Sequence, residues 1–296
     1  MGKNKGIVPW FPELIEEAVE FTQTEIMLKL ISTIDDRGLP HITLISSNRA
    51  INKNEIVWGA FTEGLSKKNV KQNPKQGFLY MSAELPFKFL QVKAKFTHIE
   101  KEGEDLEYFN KSQLMRYTTY VRIHTAFYNN VTAASPVRDL SLGGIIKGII
   151  LDLIGKGGAK TKLNEKRLNI VGYDLFKAVV NVRVIAYIDP TDGYPIIIPC
   201  IQLQAADPNR LVFPFSVLKK DLLKIPVNNK VAVFGMNFDF ANQLVKGTFT
   251  GIHKYRGIKF GVIEIEEIYN SSPPITGKIY PEIETRPKVT NFPKEL

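Results

Sequence analysis

The fold of this chain is indicated by one stretch of sequence that occurs twice. The first copy reads Val92-Lys93-Ala94-Lys95-Phe96-Thr97-His98-Ile99, and the second reads Val245-Lys246-Gly247-Thr248-Phe249-Thr250-Gly251-Ile252. Two shorter pairs repeat at nearly the same distance: Ile34-Asp35 with Ile188-Asp189, and Ile56-Val57-Trp58 with Leu211-Val212-Phe213. The three shifts are 153, 154 and 155 residues. A nearly constant shift, with turns and strand lengths that also agree, predicts an internal duplication.

Both copies consist of short apolar runs that are broken by turn residues. In the first copy the predicted strands cover 27–34, 41–47, 55–62, 76–82 and 89–99. In the second copy they cover 181–188, 195–202, 211–216, 230–236, 244–252 and 259–268. Strands at this spacing favour a β-barrel or sandwich over a sheet of βαβ units. Two similar barrels in one chain are expected to pack as a pseudo-dimer, as two identical subunits form a symmetric dimer.

A helical region is predicted between the two copies. Apolar and aromatic residues recur there at helical spacing in two groups: Leu114, Tyr117, Val121, His124 and Tyr128, then Leu142, Ile145, Ile146, Ile149, Ile150 and Leu153. Three glycines in the second group, Gly143, Gly144 and Gly148, are expected to let another backbone approach closely. The predicted organisation is a split barrel with a leading helix at 1–103, a helical insert at 104–178, a second barrel at 179–270 and a Pro-rich tail at 271–296.

Composition limits the class of protein. The 296 residues carry a formal net charge of +9, which favours an anionic partner without identifying it. The single cysteine, Cys200, excludes an internal disulfide framework, and the four histidines lack the spacing of a metal site. The longest apolar stretch, 140–154, is too short to span a bilayer and contains two charged residues. We therefore expect a cytoplasmic protein without a metal and without a membrane partner.

One segment has the composition of a phosphate site. It reads Trp58-Gly59-Ala60-Phe61-Thr62-Glu63-Gly64-Leu65-Ser66-Lys67-Lys68-Asn69-Val70-Lys71-Gln72-Asn73-Pro74. A strand ends in a hydroxyl residue, a turn with glycine follows, and Ser66-Lys67-Lys68 opens a helical turn that stops before the proline. Ser66 is predicted to cap that turn and to leave free N–H groups beside the two lysines. Together these groups would receive a phosphate.

The segment and its neighbours resemble a known family. It is preceded by Asp36-Arg37-Gly38-Leu39-Pro40-His41-Ile42-Thr43 and followed by Gly77-Phe78-Leu79-Tyr80-Met81. In this order the motifs resemble the FMN-binding split barrels of the pyridoxamine 5′-phosphate oxidase superfamily, over about residues 13–110 and more weakly over 180–270. The resemblance implies a mainly β fold with a helical insert (α+β), built from two tandem split β-barrels. It also implies FMN as the cofactor and flavin-dependent oxidoreduction as the activity.

The resemblance assigns roles to seven residues of the first copy. Lys67 and Lys68 match the basic pair on the FMN phosphate, with Ser66 beside them. Phe61 and Thr62 match the strand end that lines the flavin. Thr43 to Ser46 match the neighbouring strand along the ring system. The catalytic residues, the small-molecule substrate and the electron donor stay unassigned, because the oxidase's C-terminal substrate-binding segment has no match here and the insert is expected to replace it.

The second copy departs from the pattern. It reads Phe215-Ser216-Val217-Leu218-Lys219-Lys220-Asp221, which keeps a lysine pair but lacks the turn with glycine. Asp221 adds a negative charge that would repel a phosphate. We therefore expect the second site to be degenerate or to take a different ligand.

Other functions remain open on the sequence alone. One is a non-catalytic split barrel that handles flavin or haem, and another is a barrel that binds single-stranded nucleic acid. Nucleic acid is not expected, because the lysines are scattered and no strand alternates aromatic and basic residues. The segment 155–161 resembles a P-loop, but it lacks glycine at the positions that a P-loop requires, and it follows a helix. His124 and Arg116 are weaker candidates to reach over a flavin. The oligomeric alternatives are a monomer that is itself a pseudo-dimer and a homodimer.

Overall fold

Two antiparallel sheets form the framework of the molecule. The computed structural model describes residues 8–60, 64–112, 122–270 and 277–281. The first sheet contains β1 Met27–Ile34, β2 Pro40–Leu44, β3 Asn48–Asn52, β4 Glu55–Ala60, β5 Lys75–Ser82, β6 Lys88–Glu100, β7 Thr125–Ala134 and β8 Arg138–Asp139. The second contains β9 Val182–Ile188, β10 Pro195–Pro199, β11 Gln204–Asp207, β12 Arg210–Pro214, β13 Asn229–Met236, β14 Asn242–Tyr255, β15 Ile258–Asn270 and β16 Gly277–Tyr280.

The two sheets have one topology. The strand order is β2-β1-β5-β6-β7-β4-β3 in the first and β10-β9-β13-β14-β15-β12-β11 in the second. Strand β8 pairs with β6 and β16 pairs with β15, outside these paths. Among the described residues neither sheet closes into a complete ring. The predicted mainly β fold, two tandem split barrels in one chain, is confirmed.

Irregularities of the sheets are duplicated as well. The β6–β7 pairing shifts register between Lys93 and Ala94, and the β14–β15 pairing shifts between Lys246 and Gly247. The β6–β7 and β14–β15 pairings each have a second register shift, and these two shifts are at matched positions. The β3–β4 and β11–β12 pairings each have one register shift, also at matched positions. A bulge needs an extra residue at a defined place in a strand. Its recurrence at the shift seen in the sequence shows that the halves correspond residue by residue.

The connection between the last two long strands differs between the halves. Strands β14 and β15 are joined by the turn at Arg256-Gly257, whereas residues 101–124 separate β6 from β7. The helix predicted through His124 and Tyr128 is therefore wrong in this part, since Thr125–Ala134 is a strand of the first sheet; 113–121 lie outside the described residues. Pairing with β4 and β6 on both sides overrides the helical spacing of a few aromatic and apolar residues.

Short helices connect and cover the sheets. They are α1 Glu16–Thr22, α2 Leu65–Gln72, α3 Glu104–Lys111, α4 Leu142–Gly155, α5 Ile170–Lys177 and α6 Lys219–Leu222, with a 3₁₀ turn at Lys156–Ala159. Helix α4 begins where Ser141 Oγ accepts a hydrogen bond from the Gly144 N–H at 3.1 Å. Its existence confirms the second predicted helical group.

The glycines of α4 explain its close packing on the second sheet. A Cβ built on Gly144 would lie 3.0 Å from the Ser216 carbonyl oxygen, and one built on Gly148 would lie 2.5 Å from Ser216 Oγ. A Cβ on Gly143 would meet nothing within 4 Å. The predicted close approach of another backbone is thus confirmed for Gly144. Gly148 is approached by side chains instead, and the prediction is wrong for Gly143, which faces open space.

The two halves pack through a shared apolar interface. Its buried members come from both sheets and from α4: Leu28, Leu30, Ile42, Leu79, Met81, Phe89, Leu140, Ile145, Val184, Ala186, Ile197, Val217, Ala232, Phe234, Met236 and Leu244. Aliphatic and aromatic side chains dominate this set, so its main stabilisation is removal of apolar surface from water.

Two reciprocal ion pairs cross the interface. Lys93 Nζ lies 2.8 Å from Asp189 Oδ2, and Lys246 Nζ lies 2.7 Å from Asp35 Oδ2. The lysines are matched in the sequence repeat, and so are the aspartates. Burial opposes ionisation of Asp35, but hydrogen bonds from Lys246 and the Leu39 N–H hold its pKa at about 2. Reciprocal contacts of this kind define an isologous interface, so the halves pack as a pseudo-dimer.

Candidate functional site

The lysine pair of the first copy lies in the first turn of α2. The helix begins at Leu65 with Gly64 as N-cap, and no side chain caps it. The prediction that Ser66 is the cap is therefore wrong, because Ser66 lies inside the helix. A Cβ built on Gly64 would meet no atom of the described residues within 4 Å, so these residues leave the space beside the helix start open. An uncapped first turn presents N–H groups that favour a negative charge.

Two side-chain hydrogen bonds fix α2 against the first sheet. Ser66 Oγ and Thr43 Oγ1 are 2.7 Å apart, which ties the helix to the end of β2. Asn69 Nδ2 donates to Thr33 Oγ1 at 2.9 Å, which ties it to β1. Ser66 and Asn69 are both buried. Two predicted site residues, Thr43 and Ser66, are therefore in direct contact, and the lysines between these anchors sit on a fixed turn.

The two lysines differ in their surroundings. Lys67 is partly buried, whereas Lys68 is exposed and its Nζ lies 3.9 Å from Asp36 Oδ2. Both members of this ion pair are about 60 % exposed, so water and salt screen it. Asp36 was not among the predicted site residues, although the sequence places it in the hairpin turn between β1 and β2.

Of the remaining predicted residues, the structure describes Ser46 and His124. Ser46 lines a cavity of about 30 Å³, enough for a water molecule but not for a flavin ring. Phe61 and Thr62 lie outside the described residues. His124 lies near that strand end, because its backbone N–H donates to the Ala60 carbonyl oxygen at 3.2 Å. Its partner in the prediction, Arg116, is outside the described residues.

The cavity beside Ser46 contains two cations that the sequence analysis missed. Lys29 Nζ donates to the carbonyl oxygens of Thr22 at 2.9 Å and Asn48 at 2.8 Å, and burial lowers its pKa to about 8. Arg49 forms an ion pair with Asp105 and also lies over the Tyr108 ring, 4.1 Å from its centroid. A lysine in the middle of the apolar run 27–34 was the signal that could have identified the first of them.

The structure corrects the match between the lysine pairs of the two halves. In the first sheet Phe78 pairs with Ile31 and Val92, and in the second Val233 pairs with Ile185 and Val245. Strand β5 therefore matches β13 at a shift of 155, the same shift as β4 and β12.

The segment between β4 and β5 is matched at the same shift of 155 residues as the strands on either side of it. Lys67 and Lys68 therefore correspond to Leu222 and Leu223. The pair Lys219-Lys220 lies one helical turn earlier in the chain, so the prediction that a lysine pair survives at this position is wrong. Asp221 corresponds to Ser66 and is buried, with Arg138 Nη1 3.1 Å from its Oδ2. Its charge serves an ion pair between the halves.

Helix α4 covers the corresponding region of the second half. Ser216 and Val217, at the shift of 155, are the counterparts of Phe61 and Thr62. The glycine face of α4 packs on Ser216 and on Gln202, whose Cβ would lie 2.6 Å from a Cβ on Gly148. The edge that is open beside Gly64 in the first half is therefore filled by backbone in the second.

Comparisons with solved structures each cover about two fifths of this chain. No protein-family model and no curated protein matches the sequence. Similar solved structures include an FMN-binding protein from Syntrophomonas wolfei, 18% identical, with a TM-score of 0.34, covering 43% of this chain and 86% of its own. HupZ of Group A Streptococcus is 17% identical, with a TM-score of 0.34, covering 41% and 91%. A Lactobacillus delbrueckii protein named for pyridoxamine 5′-phosphate oxidase is 17% identical, with a TM-score of 0.33, covering 42% and 94%.

The first of these structures is named as FMN-binding and the third for pyridoxamine 5′-phosphate oxidase, the superfamily that the sequence resembles. Each matches about two fifths of this chain. Within the described part of the chain, no helix is long and apolar enough to cross a membrane. The same residues contain no group of three or more His, Cys, Asp or Glu side chains placed to hold a metal ion.

Proposed function

We propose that this chain is an FMN-binding protein with one flavin site, in the first half, and that the flavin phosphate binds at the start of α2. The observation that carries the proposal is the 2.7 Å hydrogen bond between Ser66 and Thr43, which fixes a lysine-bearing helical turn against a strand end. The open space at Gly64 gives a ligand access to that turn. The residue pattern around it is the one on which the family resemblance rests.

The residues present fit a phosphomonoester. Lys67 and Lys68 supply two positive charges, and the uncapped first turn supplies backbone N–H donors. Ser66 and Thr43 share one hydrogen bond, and each hydroxyl keeps capacity for a further partner. Asp36 would compete with the phosphate for Lys68, but an exposed ion pair at 3.9 Å is a weak competitor.

The ends of two strands would hold the rest of the cofactor. In this proposal Phe61 and Thr62 line the flavin, and the chain from Thr43 to Ser46 runs along its ring system. When bound, FMN supplies hydride or electron transfer, and the protein supplies the phosphate grip and the orientation of the ring. A flavin-dependent oxidoreductase acting on a small molecule is the activity that this arrangement supports best. Residence in the cytoplasm stays a prediction.

The proposal is tested by comparing FMN with riboflavin, which lacks the phosphate. Flavin fluorescence titration of the full chain should give tighter binding of FMN than of riboflavin. The double variant Lys67→Ala with Lys68→Ala should weaken FMN binding by about 100-fold, since charge-assisted hydrogen bonds to phosphate are lost. Riboflavin binding should change little.

The second half provides the matched control. Lys219→Ala with Lys220→Ala removes the same charge from the other lysine pair and should leave FMN affinity within about twofold. An equal loss in both double variants would show only a general charge effect and would reject the site. The absorption spectrum of the purified protein separates the other functions: a haem spectrum, or no flavin binding together with a salt-sensitive complex with single-stranded nucleic acid, would replace this proposal.

A further inference from the structure

Helix α4 has the reverse of the usual burial pattern. A helix on a globular protein normally buries its large apolar side chains and exposes its polar ones. The inward face of α4 instead consists of Ile145, Gly148, Asp152 and Gly155. Close packing of backbone against the second sheet requires the glycines, so the large aliphatic residues are left for the opposite face.

That opposite face is a continuous apolar stripe. Its members follow helical spacing and are between 46 and 65 % exposed: Leu142, Ile146, Ile150, Leu153 and Ile154. On a helix with 3.6 residues per turn they lie within about one third of the circumference. A contiguous exposed patch of this kind marks an interaction surface, whereas single exposed aliphatic residues do not.

The stripe is bordered by positive charge. Arg256, at the turn between β14 and β15, donates from Nη1 to the Ile154 carbonyl oxygen at 3.1 Å, so this turn and the end of α4 form one surface. Exposed cations lie on segment 142–162 and at this turn: Lys147, Lys160, Lys162 and Arg256. Lys254 and Lys259 are on the opposite face of the hairpin, because Tyr255 and Ile258 face the end of α4.

The two segments that build this surface are poor in acidic residues. Segments 142–162 and 252–260, which are described throughout, contain one acidic residue, Asp152. It is buried, and burial raises its pKa to about 8, so it presents no exposed carboxylate. We define the α4 surface as the five aliphatic residues of the stripe together with Lys147, Lys160, Lys162 and Arg256.

We propose that the α4 surface docks this protein onto an anionic phospholipid bilayer. An apolar helical face enters the boundary between headgroups and acyl chains, while lysines and arginines near it are attracted to anionic headgroups. The 14 residues of α4 are about 21 Å long, too short to cross the hydrocarbon core, so the helix lies on the membrane.

Charge and side-chain chemistry select this occupant over two others. A second copy of the chain would place the four cations of this surface against the same four cations, and like charges across an interface oppose association. Nucleic acid would use aromatic side chains for base stacking, whereas this stripe is entirely aliphatic. The proposal is independent of the flavin site, which lies in the first half.

The test is co-sedimentation of the full chain with vesicles. Vesicles of phosphatidylcholine with phosphatidylglycerol should bind the protein at least about tenfold more tightly than vesicles of phosphatidylcholine alone. High salt should remove this difference in affinity. Ile150→Glu with Leu153→Glu should reduce binding to anionic vesicles at least about tenfold. Lys147→Glu with Lys160→Glu should do the same and leave the small affinity for neutral vesicles unchanged.

Two control variants make these changes elsewhere. Phe238→Glu with Phe240→Glu alters two exposed apolar residues between β13 and β14, and Lys53→Glu with Lys101→Glu reverses two exposed lysines of the first half. Both should keep anionic-vesicle binding within about twofold, with thermal melting confirming that every variant folds. Equal binding to both vesicle types would overturn the proposal, and so would a stripe variant that binds anionic vesicles as tightly as the wild type. It would also be overturned if the wild type forms a homodimer instead of binding vesicles and the stripe variant is monomeric.

Discussion

The two halves of this chain share a framework and differ at one edge. Strand order and bulge positions are the same in both halves, and so are the lysines and aspartates of the crossing ion pairs. At the edge after β4, the first half has an open helix start with Lys67 and Lys68. At the edge after β12, the second half has Leu222 and Leu223 at the matched positions, and the glycine face of α4 packs on Ser216. The interface between the halves was retained while this edge diverged.

This difference shows how a duplicated protein becomes asymmetric. A symmetric dimer repeats any site on both subunits, because one sequence serves both. After fusion, each copy is free to change separately. Here the linker contributes α4, which fills one edge with backbone and leaves the other accessible, so the asymmetry comes mainly from an added helix and only partly from lost lysines.

The largest effect is expected at the crossing ion pairs. Lys246→Met leaves Asp35 buried without its strongest partner and should lower the free energy of unfolding by about 3 kcal/mol. The decrease in the free energy of unfolding should be about 1 kcal/mol smaller for Lys93→Met than for Lys246→Met. Asp189 and Asp192 are more exposed than Asp35, so water replaces the lysine there. Urea unfolding of both variants measures this. Equal costs would show that the two pairs are energetically equivalent.

The pH dependence of stability checks the same pair independently. The pKa of folded Asp35 is held at about 2, below the ordinary value of 3.8, so its contribution is present above pH 4. It is lost as the pH falls from about 4 towards 2. Lys246→Met should reduce that loss, and wild type and variant should therefore converge in stability at low pH. A constant difference down to pH 2 would contradict the role given to Asp35.

The next effect separates two glycines of α4. Gly148→Ala places a Cβ 2.5 Å from Ser216 Oγ and 2.6 Å from Gln202 Cβ, so it should destabilise by about 1–3 kcal/mol. Gly143→Ala meets open space and should stabilise by about 0.5–1 kcal/mol through helix propensity. Thermal melting measures both. Two changes of the same sign would mean that α4 is not seated on the second half as described.

The sequence predicted the framework well and the edges less well. The repeats at 153, 154 and 155 residues were enough for the duplication, because a constant shift constrains every strand at once. Tyr128 was assigned to a helix because spacing alone does not show that β4 and β6 lie on both sides of its segment. Lys219-Lys220 was matched to Lys67-Lys68 by residue type, and only the pairing register of β13 shows that Leu222 and Leu223 stand there.

Contacts distant in the sequence could not be predicted at all. Ser66 was expected to cap its own helix, since a local hydrogen bond is the only one that a linear pattern suggests, yet it bonds to Thr43 on β2. The inward face of α4 was also hidden. Its aliphatic stripe looks like a core face until the close packing of Gly148 shows which side is buried. In both instances the deciding contact is with an element far along the chain.

The smallest predicted effect concerns Asp36, and it sharpens the comparison at the first edge. Asp36 stands 3.9 Å from Lys68, while the second half has Pro190 or Thr191 at the matched turn. If Lys68 receives a phosphate, Asp36→Asn should strengthen FMN binding about two- to threefold at low salt, because a competing charge is removed. The gain should fade as salt is added, and riboflavin should show none of it.

Asp174→Asn, an exposed aspartate on α5, makes the same charge change away from the edge and should leave FMN affinity unaltered. If both variants strengthen binding equally, the effect reports only net charge, and the phosphate does not contact Lys68. If Asp36→Asn weakens binding, the carboxylate positions the lysine for the phosphate instead of competing with it. The sign of this small change therefore decides whether the first edge is a preformed phosphate site or one that the ligand must open.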